Sequence, residues 1–239
     1  MKIAVVNYCG TVGKTTIASE LLAPRMDGVQ LFAVETVNET AAELGLTVEQ
    51  VRGRQFGDLF KELMMAEAAI VDVGASNAEE FLNRMGNYAG SHTEIDCFIV
   101  PVTSGVKEQS ESIKTVRTLA SVGVPRERIR VVFNRVLDSV EEEFVAVLGF
   151  AATSGACVAN VDAAIHENEV FHLLARKRTT INAVLADPTD YRELVRSLSK
   201  TRDRTQMQHA ADMHAIRSLA RGVKEQLDDA YTALFSAAA

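Results

Sequence analysis

Short apolar runs alternate with segments of helical periodicity along most of the chain. The runs are rich in β-branched residues and nearly continuous in apolar positions, as expected for parallel strands covered on both faces. We predict strands at 3–8, 29–35, 68–73, 96–103, 129–136 and 156–160. We predict helices between them at 14–22, 58–65, 77–85, 107–121 and 141–148. This alternation predicts a doubly wound α/β fold with a mostly parallel sheet.

The pattern changes after about Asp162, where Leu, Ile, Met and Ala recur at helical spacing with few helix-breaking residues. We predict further helices at 190–200 and 202–235. The chain is therefore divided into an α/β domain at 1–185 and a helical C-terminal extension at 186–239. We expect the extension to pack on the same domain.

The first predicted strand leads directly into the segment YCGTVGKTT. It matches the end of the phosphate-binding pattern GxxxxGK[ST], with Tyr8 in place of the leading glycine. Glycines let backbone N–H groups turn toward phosphates, and the N-terminus of the following helix favours negative charge. In such a loop Lys14 contacts the β- and γ-phosphates and the Thr15 hydroxyl binds Mg²⁺. The alternative is a chance GK[ST] in a helix cap. The predicted nucleotide-binding residues are Cys9, Gly10, Thr11, Val12, Gly13, Lys14, Thr15 and Thr16.

The strand predicted at 68–73 carries a carboxylate, Asp72, after its apolar run. At the carboxyl edge of a parallel sheet, this side chain would hold Mg²⁺ through water beside the loop. The alternative is that Asp72 caps the next helix. The nearby Lys14 and Thr15 favour the metal-binding role, so we predict Thr15 and Asp72 as the Mg²⁺ site.

Composition and charge narrow the possible functions. The net charge of -7 argues against a protein dominated by nucleic-acid binding. Cys9, Cys97 and Cys157 have no CxxC spacing, which favours a reduced, cytoplasmic protein over a disulfide framework. No segment reaches the ~18–20 apolar residues that span a bilayer, so we predict no membrane span.

The loop resembles the variant phosphate-binding loop of the ParA/MinD-type P-loop ATPases, whose pattern is KGGxGK[ST], often preceded by Asn-Gln. The matching positions are Asn7, Gly10, Gly13, Lys14 and Thr15. The resemblance extends over most of residues 1–185. Its further matches are Asp72, the strand DCFIVPV at 96–102, and Asn134 at the end of VVFN.

This resemblance implies a protein that binds ATP or ADP with Mg²⁺ and hydrolyses ATP slowly, as a nucleotide switch. It implies that Lys14 and Asp72 serve catalysis and that Asn134 contacts the adenine; the alternative for Asn134 is a turn residue at a strand end. It further implies a nucleotide-dependent homodimer and a DNA-binding partner protein. The loop variant, length and helical tail are most similar to the StbB-type branch, which implies plasmid stability or positioning and conjugative transfer.

Cys9 departs from the family because it occupies the position of the signature lysine, and Thr11 occupies that of a glycine. In the family that lysine reaches the partner's phosphates across the dimer, which a short uncharged side chain cannot do. Either another cation compensates, or the ATP-bound dimer is weaker or hydrolysis slower. We interpret Cys9 as a small residue that the loop tolerates; the alternative is a redox- or metal-sensing thiol.

A second departure follows the second predicted strand, where the family carries D-x-D and its later Asp orients the attacking water. Here Glu35 takes the first acidic position and Val37 the second. Glu35 is predicted to hold Mg²⁺ or to position water, with Glu39 near enough to substitute. The alternative is that Glu35 only caps the strand end. The sequence therefore predicts binding more strongly than hydrolysis.

Basic residues recur in the C-terminal part of the chain. One interpretation is a solvated helical face, because acidic residues are interspersed; the other is a sequence-independent DNA contact, which would depend strongly on salt. These residues are Arg176, Lys177, Arg178, Arg192, Arg196, Lys200, Arg202, Arg204, Arg217, Arg221 and Lys224.

Two other functions are compatible with the same fold. A small-molecule kinase or ATP-dependent ligase would need a lid with phosphate-clamping arginines, and we find no arginine-rich lid segment. A module that binds nucleotide without turning it over is consistent with Cys9 and Val37 at the two departures.

Overall fold

The computed structural model describes residues 1–34, 46–51, 55–199 and 203–236. Within these ranges, seven strands form one parallel sheet in the order β3-β2-β4-β1-β5-β6-β7. The strands are β1 (Lys2–Val6), β2 (Gln30–Val34), β3 (Val48–Val51), β4 (Ala69–Val73), β5 (Cys97–Val102), β6 (Ile129–Val136) and β7 (Ala164–His166). The first strand thus lies at the centre of the sheet, with β4 and β5 on either side.

Helices connect the strands and cover both faces of the sheet. The first helix, α1 (Lys14–Thr16), continues into a π-helix at Ile17–Leu22 and a 3-10 turn at Ala23–Arg25. The remaining α-helices are α2 (Phe56–Met65), α3 (Ala75–Asn87), α4 (Val106–Ser121), α5 (Val140–Glu143), α6 (Val145–Ser154), α7 (Val170–Lys177), α8 (Ile181–Ala186), α9 (Tyr191–Leu198) and α10 (Arg204–Phe235).

The doubly wound α/β fold predicted from the sequence is confirmed, with two corrections to the strands. The prediction omitted β3, because this edge strand is only VEQV and carries polar residues that are exposed. The strand predicted at 156–160 is wrong: there, Val158 makes a single bridge to Arg130, and the seventh strand is Ala164–His166. The apolar character of 156–160 reflects burial of Cys157 and Val158 in a loop.

Two hydrophobic cores lie on opposite faces of the sheet. Helices α2 to α6 cover one core, in which Phe133 and Phe144 pack edge to face at 4.9 Å between ring centroids. Phe144 also separates α5 from α6, which the sequence predicted as a single helix. The other core is covered by the π-helix and by α7 to α10.

The long helix α10 packs on the second core through one apolar face. Its buried residues are Ala210, Met213, Ile216, Ala220, Val223, Leu227, Ala230 and Leu234. Their three- and four-residue spacing is that of a helix with one buried face. The domain boundary predicted at 185 falls within α8. Among the described residues, no helix is both long and apolar enough to cross a membrane.

Candidate nucleotide-binding site

The loop between β1 and α1 lies at the carboxyl edge of the sheet, where ligands bind in open α/β folds. It ends at Gly13, which has a φ of 83° and caps the N-terminus of α1. A Cβ at Gly13 would also overlap the Nδ2 atom of Asn134. Glycine is required here both by the left-handed backbone and by this close approach.

Asn7 fastens the start of the loop to the sheet and to α4. Its side chain is fully buried and donates from Nδ2 to the Pro101 carbonyl and to Ser112 Oγ, each at 2.7 Å. Its Oδ1 accepts the backbone N–H of Cys9 at 2.8 Å. Buried polar groups with all these partners are held in one orientation, so the loop leaves the strand along a fixed path.

Tyr8, which replaces the leading glycine of the motif, packs against α4. Its backbone N–H donates to Thr115 Oγ1 at 3.2 Å, and its hydroxyl lies 3.1 Å from Thr118 Oγ1. The Lys114 ammonium lies 4.8 Å from the centroid of the Tyr8 ring, within the range of a cation–π contact. The larger side chain is thus accommodated on the helix beside the loop.

Lys14 is buried at the first position of α1 and points back across the loop. Its Nζ atom donates to the Cys9 carbonyl at 2.7 Å, and the residue is 5% exposed. A cation at a helix N-terminus is disfavoured by the helix dipole, so its placement there suits an anionic ligand.

Thr15 and Asp72, the two residues predicted to bind Mg²⁺, are in direct contact. The Thr15 hydroxyl donates to Asp72 Oδ2 at 2.7 Å, and Asp72 is 5% exposed. The register between β1 and β4 pairs Val5 with Asp72, which places the carboxylate beside the start of the loop. Hydroxyl and carboxylate oxygens are the donors that Mg²⁺ prefers, so this pair fits the metal.

The Cys9 side chain faces the loop itself. It is 8% exposed, and its Sγ lies 3.5 Å from Thr11 Oγ1. Gly10 and Thr11 form the exposed tip, and a Cβ at Gly10 would lie 3.7 Å from the Cβ of Ala75, the first residue of α3. This arrangement agrees with the interpretation of Cys9 as a small residue packed within the loop.

Asn134 lies at the carboxyl end of β6 and is 4% exposed. Its Nδ2 donates to the Val12 carbonyl at 2.9 Å, so its side chain contacts the loop between β1 and α1. The predicted contact with adenine remains a prediction. Glu35, Val37 and Glu39 lie outside the described residues, so their predicted roles also remain predictions.

The α4 hydroxyl groups that hold the loop were not predicted from the sequence. Ser112 and Thr115 are buried and lie three positions apart, on the side of α4 that faces the sheet. Small polar residues on the buried face of a predicted amphipathic helix were the available signal, because such groups need partners.

The structure separates the C-terminal basic residues into paired and exposed groups. Lys177 pairs with Asp212 at 3.1 Å and Lys224 with Asp228 at 2.7 Å. Lys200 and Arg202 lie outside the described residues. The residues with exposed positions are Arg176, Arg178, Arg192, Arg196, Arg204 and Arg221, and of these Arg196 also lies 3.7 Å from Glu193.

Arg217, one of the basic residues interpreted either as a solvated face or as a DNA contact, joins α10 to the segment around α8. Its guanidinium donates to the carbonyls of Val184, Asp187 and Thr189 at 3.2, 2.7 and 2.7 Å. It also lies 4.8 Å from the centroid of the Tyr191 ring. A guanidinium engaged in this way is not free to contact phosphates.

Replacing Arg217 with alanine should therefore lower stability. We expect Arg217→Ala to reduce the unfolding free energy by about 2 kcal/mol, because hydrogen bonds from a charged donor to three carbonyls are lost. Arg221→Ala, an exposed position on the same helix, should change it by less than about 0.5 kcal/mol. Urea unfolding followed by circular dichroism measures the unfolding free energy of both variants. Equal effects of the two substitutions would contradict the role of Arg217 in joining α10 to the segment around α8.

Comparison with known proteins supports the fold. No protein-family model matches the sequence, and no curated protein matches it either. Among solved structures, the ATP complex of McdA from Cyanothece is 14% identical, with a TM-score of 0.52 and coverage of 95% of this chain and 96% of that chain. Apo McdA is also 14% identical, with a TM-score of 0.54 and coverage of 95% and 98%.

The septum site-determining protein MinD from Pyrococcus horikoshii, complexed with Mg-ADP, is 16% identical with a TM-score of 0.51. That match covers 94% of this chain and 98% of MinD. The chain therefore has the MinD-type P-loop NTPase fold, with a parallel sheet flanked by helices and a helical C-terminal segment. At these identities the similarity establishes the fold alone.

Proposed function

We propose that this protein is a ParA/MinD-type nucleotide switch that binds ATP with Mg²⁺ and hydrolyses it slowly. The observation that carries the proposal is the 2.7 Å contact between Thr15 and Asp72 beside the buried Lys14. A hydroxyl, a carboxylate and an ammonium brought together at a helix N-terminus match the requirements of a phosphate–metal ligand.

The similar structures support ATP as the nucleotide. McdA was solved with ATP and MinD with Mg-ADP, and both share the fold over nearly the whole chain. We extend this ligand to the present chain because the sequence of the loop and its geometry both provide for phosphates.

Each residue of the proposed site has a distinct role. The loop N–H groups and Lys14 bind the phosphates, and Thr15 with Asp72 would hold Mg²⁺. The metal, when bound, neutralises charge that develops on the phosphates. Asn134 is the residue proposed to contact the base, and its hydrogen bond to the Val12 carbonyl supports a place at the site. Glu35 is the proposed residue for positioning the attacking water.

The metal-binding role predicts a specific effect of Asp72→Asn. We expect this variant to bind ATP about tenfold more weakly than the wild type in the presence of Mg²⁺, because the carboxylate charge toward the cation is lost. In EDTA the two proteins should bind ATP equally well or the variant better, since no cation needs the carboxylate. Titration calorimetry with and without Mg²⁺ measures this; an equal loss in both conditions would contradict the metal-binding role.

The biological role proposed is plasmid stability or positioning, together with action in conjugative transfer, as in StbB-type proteins. Sequence specificity would come from a DNA-binding partner protein. Exposed Arg176, Arg178 and Arg204 are available for a sequence-independent DNA contact of this chain's own. A reducing, cytoplasmic setting is part of the proposal and agrees with three unpaired cysteines.

Nucleotide-dependent dimerisation is the proposed output of the switch. Sedimentation velocity without nucleotide, with ADP–Mg²⁺ and with ATP–Mg²⁺ tests it, starting from the 26.0 kDa monomer mass. The expected result is a larger species with ATP only, weakly populated because Cys9 supplies no charge to a partner's phosphates. An unchanged mass in all three conditions would count against the dimer.

A further inference from the structure

The carboxyl end of β6 contains a bulge next to the candidate site. Asn134 pairs with Ile165 of β7, but the next pair is Val136 with His166, so Arg135 is left between them. Arg135 has a φ of 57°, a left-handed conformation that arginine adopts at a cost in free energy. Bulges redirect the neighbouring side chains and are frequent beside active sites.

The bulge lies directly after Asn134, whose side chain contacts the phosphate-binding loop. Its Nδ2 donates to the Val12 carbonyl at 2.9 Å and lies against Gly13, where no Cβ would fit. Asn134 and Val12 are both buried, so water does not compete for this hydrogen bond. The strained backbone at Arg135 thus orients the Asn134 amide toward the loop.

A phosphate-binding loop presents its N–H groups to the anion, so its carbonyl groups must point elsewhere. Two of these carbonyls, among the described residues, accept hydrogen bonds from side chains. The Cys9 carbonyl accepts from Lys14, a residue that is itself proposed to contact phosphate. The Val12 carbonyl accepts from Asn134, which is fixed in the central sheet.

We infer that Asn134 is a positioning residue for the phosphate-binding loop, aimed by the Arg135 bulge at the Val12 carbonyl. This inference rests on the proposed function. It extends the predicted role of Asn134, because loop positioning affects every ligand that carries the phosphates, whereas contact with adenine affects only ligands that carry the base.

The test compares two ligands that differ in the base. ATP–Mg²⁺ and inorganic tripolyphosphate–Mg²⁺ are titrated into the wild type, Asn134→Ala and Asn160→Ala. We expect Asn134→Ala to lower the affinity for both ligands by a similar factor of about ten, because one buried hydrogen bond is lost. Asn160→Ala is the matched control, because Asn160 donates to the Ala233 carbonyl away from the loop; it should change neither affinity more than twofold.

Weaker ATP binding with unchanged tripolyphosphate binding in Asn134→Ala would overturn the inference and leave a base contact. A wild type that binds neither ligand would instead overturn the proposed function, and the inference with it. Unfolding midpoints of all variants are measured without ligand. If Asn134→Ala does not fold, Asn134→Ser keeps a polar group that is too short to reach Val12, and the same comparison applies.

The bulge itself is tested through Arg135. Arg135→Gly keeps the left-handed backbone without strain, so both affinities should stay within twofold of the wild type. Arg135→Val disfavours that backbone and should weaken both ligands together. A loss in the glycine variant that equals the loss in the valine variant would overturn the backbone role and assign the effect to the arginine side chain.

Discussion

Replacing Lys14 with alanine should lower the affinity for ATP–Mg²⁺ by about 100-fold. A hydrogen bond between a charged donor and a charged acceptor contributes about 1.5–3 kcal/mol, and every 1.4 kcal/mol is a factor of about ten in affinity. Lys14 is buried at the N-terminus of α1, where its charge is poorly screened by water, so we expect the upper part of this range.

The same substitution should do little to folding. Lys14 donates to the Cys9 carbonyl within the loop, and removal of a buried cation offsets the loss of that hydrogen bond. We therefore expect the unfolding midpoint of Lys14→Ala without nucleotide to stay within a few degrees of the wild type.

Lys114→Ala is the matched control for this prediction. Lys114 lies over the Tyr8 ring on the surface of α4, with its side chain 65% exposed, so its removal takes away the same charge near the loop. Calorimetric titration should show affinity within about threefold of the wild type. If Lys114→Ala bound ATP–Mg²⁺ as weakly as Lys14→Ala, the assignment of Lys14 as the phosphate-binding lysine would be contradicted. A general effect of positive charge near the loop would then be favoured.

The second large effect concerns Glu20, a buried carboxyl in the π-helix that follows α1. Glu20 is 3% exposed, and its Oε2 accepts the backbone N–H of Ile181 at 3.1 Å. Its Oε1 has no hydrogen-bond partner in the described structure. Burial raises the pKa of this carboxyl from its ordinary 4.5 to about 7, although the Ile181 N–H and the Arg25 charge act in the opposite direction.

A raised pKa makes the folded protein less stable at higher pH. The native state keeps the Glu20 proton up to about pH 7, whereas the unfolded chain releases it near pH 4.5. The unfolding free energy should therefore decrease as the pH rises from about 4.5 to about 7, and change no further above that. At about 1.4 kcal/mol per pKa unit, this loss is about 3 kcal/mol.

Glu20→Gln should remove this dependence because glutamine does not titrate. We expect the stability of the variant relative to the wild type to increase by about 2–3 kcal/mol between pH 5 and pH 8. The comparison across pH cancels any constant cost of the substitution. Urea unfolding at several pH values measures it, with Glu225→Gln on the exposed face of α10 as the control. A constant difference between Glu20→Gln and wild type would contradict the account.

The parts of the site that were predictable from sequence depend on local patterns. The phosphate-binding loop follows a buried strand and opens a helix, so its motif and its surroundings agree. Asp72 was predictable because it lies near the carboxyl end of a short, otherwise apolar strand, and parallel pairing then brings it to Thr15. For both the loop and Asp72, a short stretch of neighbouring residues is enough to predict the position in the fold.

Other features depend on contacts between distant segments, which no local pattern contains. Asn134 reaches Val12 across 122 positions, and Glu20 reaches Ile181 across 161. In the sequence, Arg217 belongs to a stretch typical of a solvated helical face. In the structure it donates hydrogen bonds to three carbonyls of the segment around α8. The bulge at Arg135 likewise depends on the pairing between β6 and β7. The sequence of this segment, VVFNRV, contains no local signal for a bulge.

The proposed switch requires that the protein convert ATP to ADP, and single-turnover hydrolysis tests this most directly. Protein in excess over labelled ATP is incubated with Mg²⁺, and ADP is followed over time for the wild type and for Lys14→Ala. We expect slow formation of ADP by the wild type, and none by the variant or in EDTA. Formation of ADP by the wild type no faster than by Lys14→Ala would contradict it and favour a module that binds nucleotide without turnover.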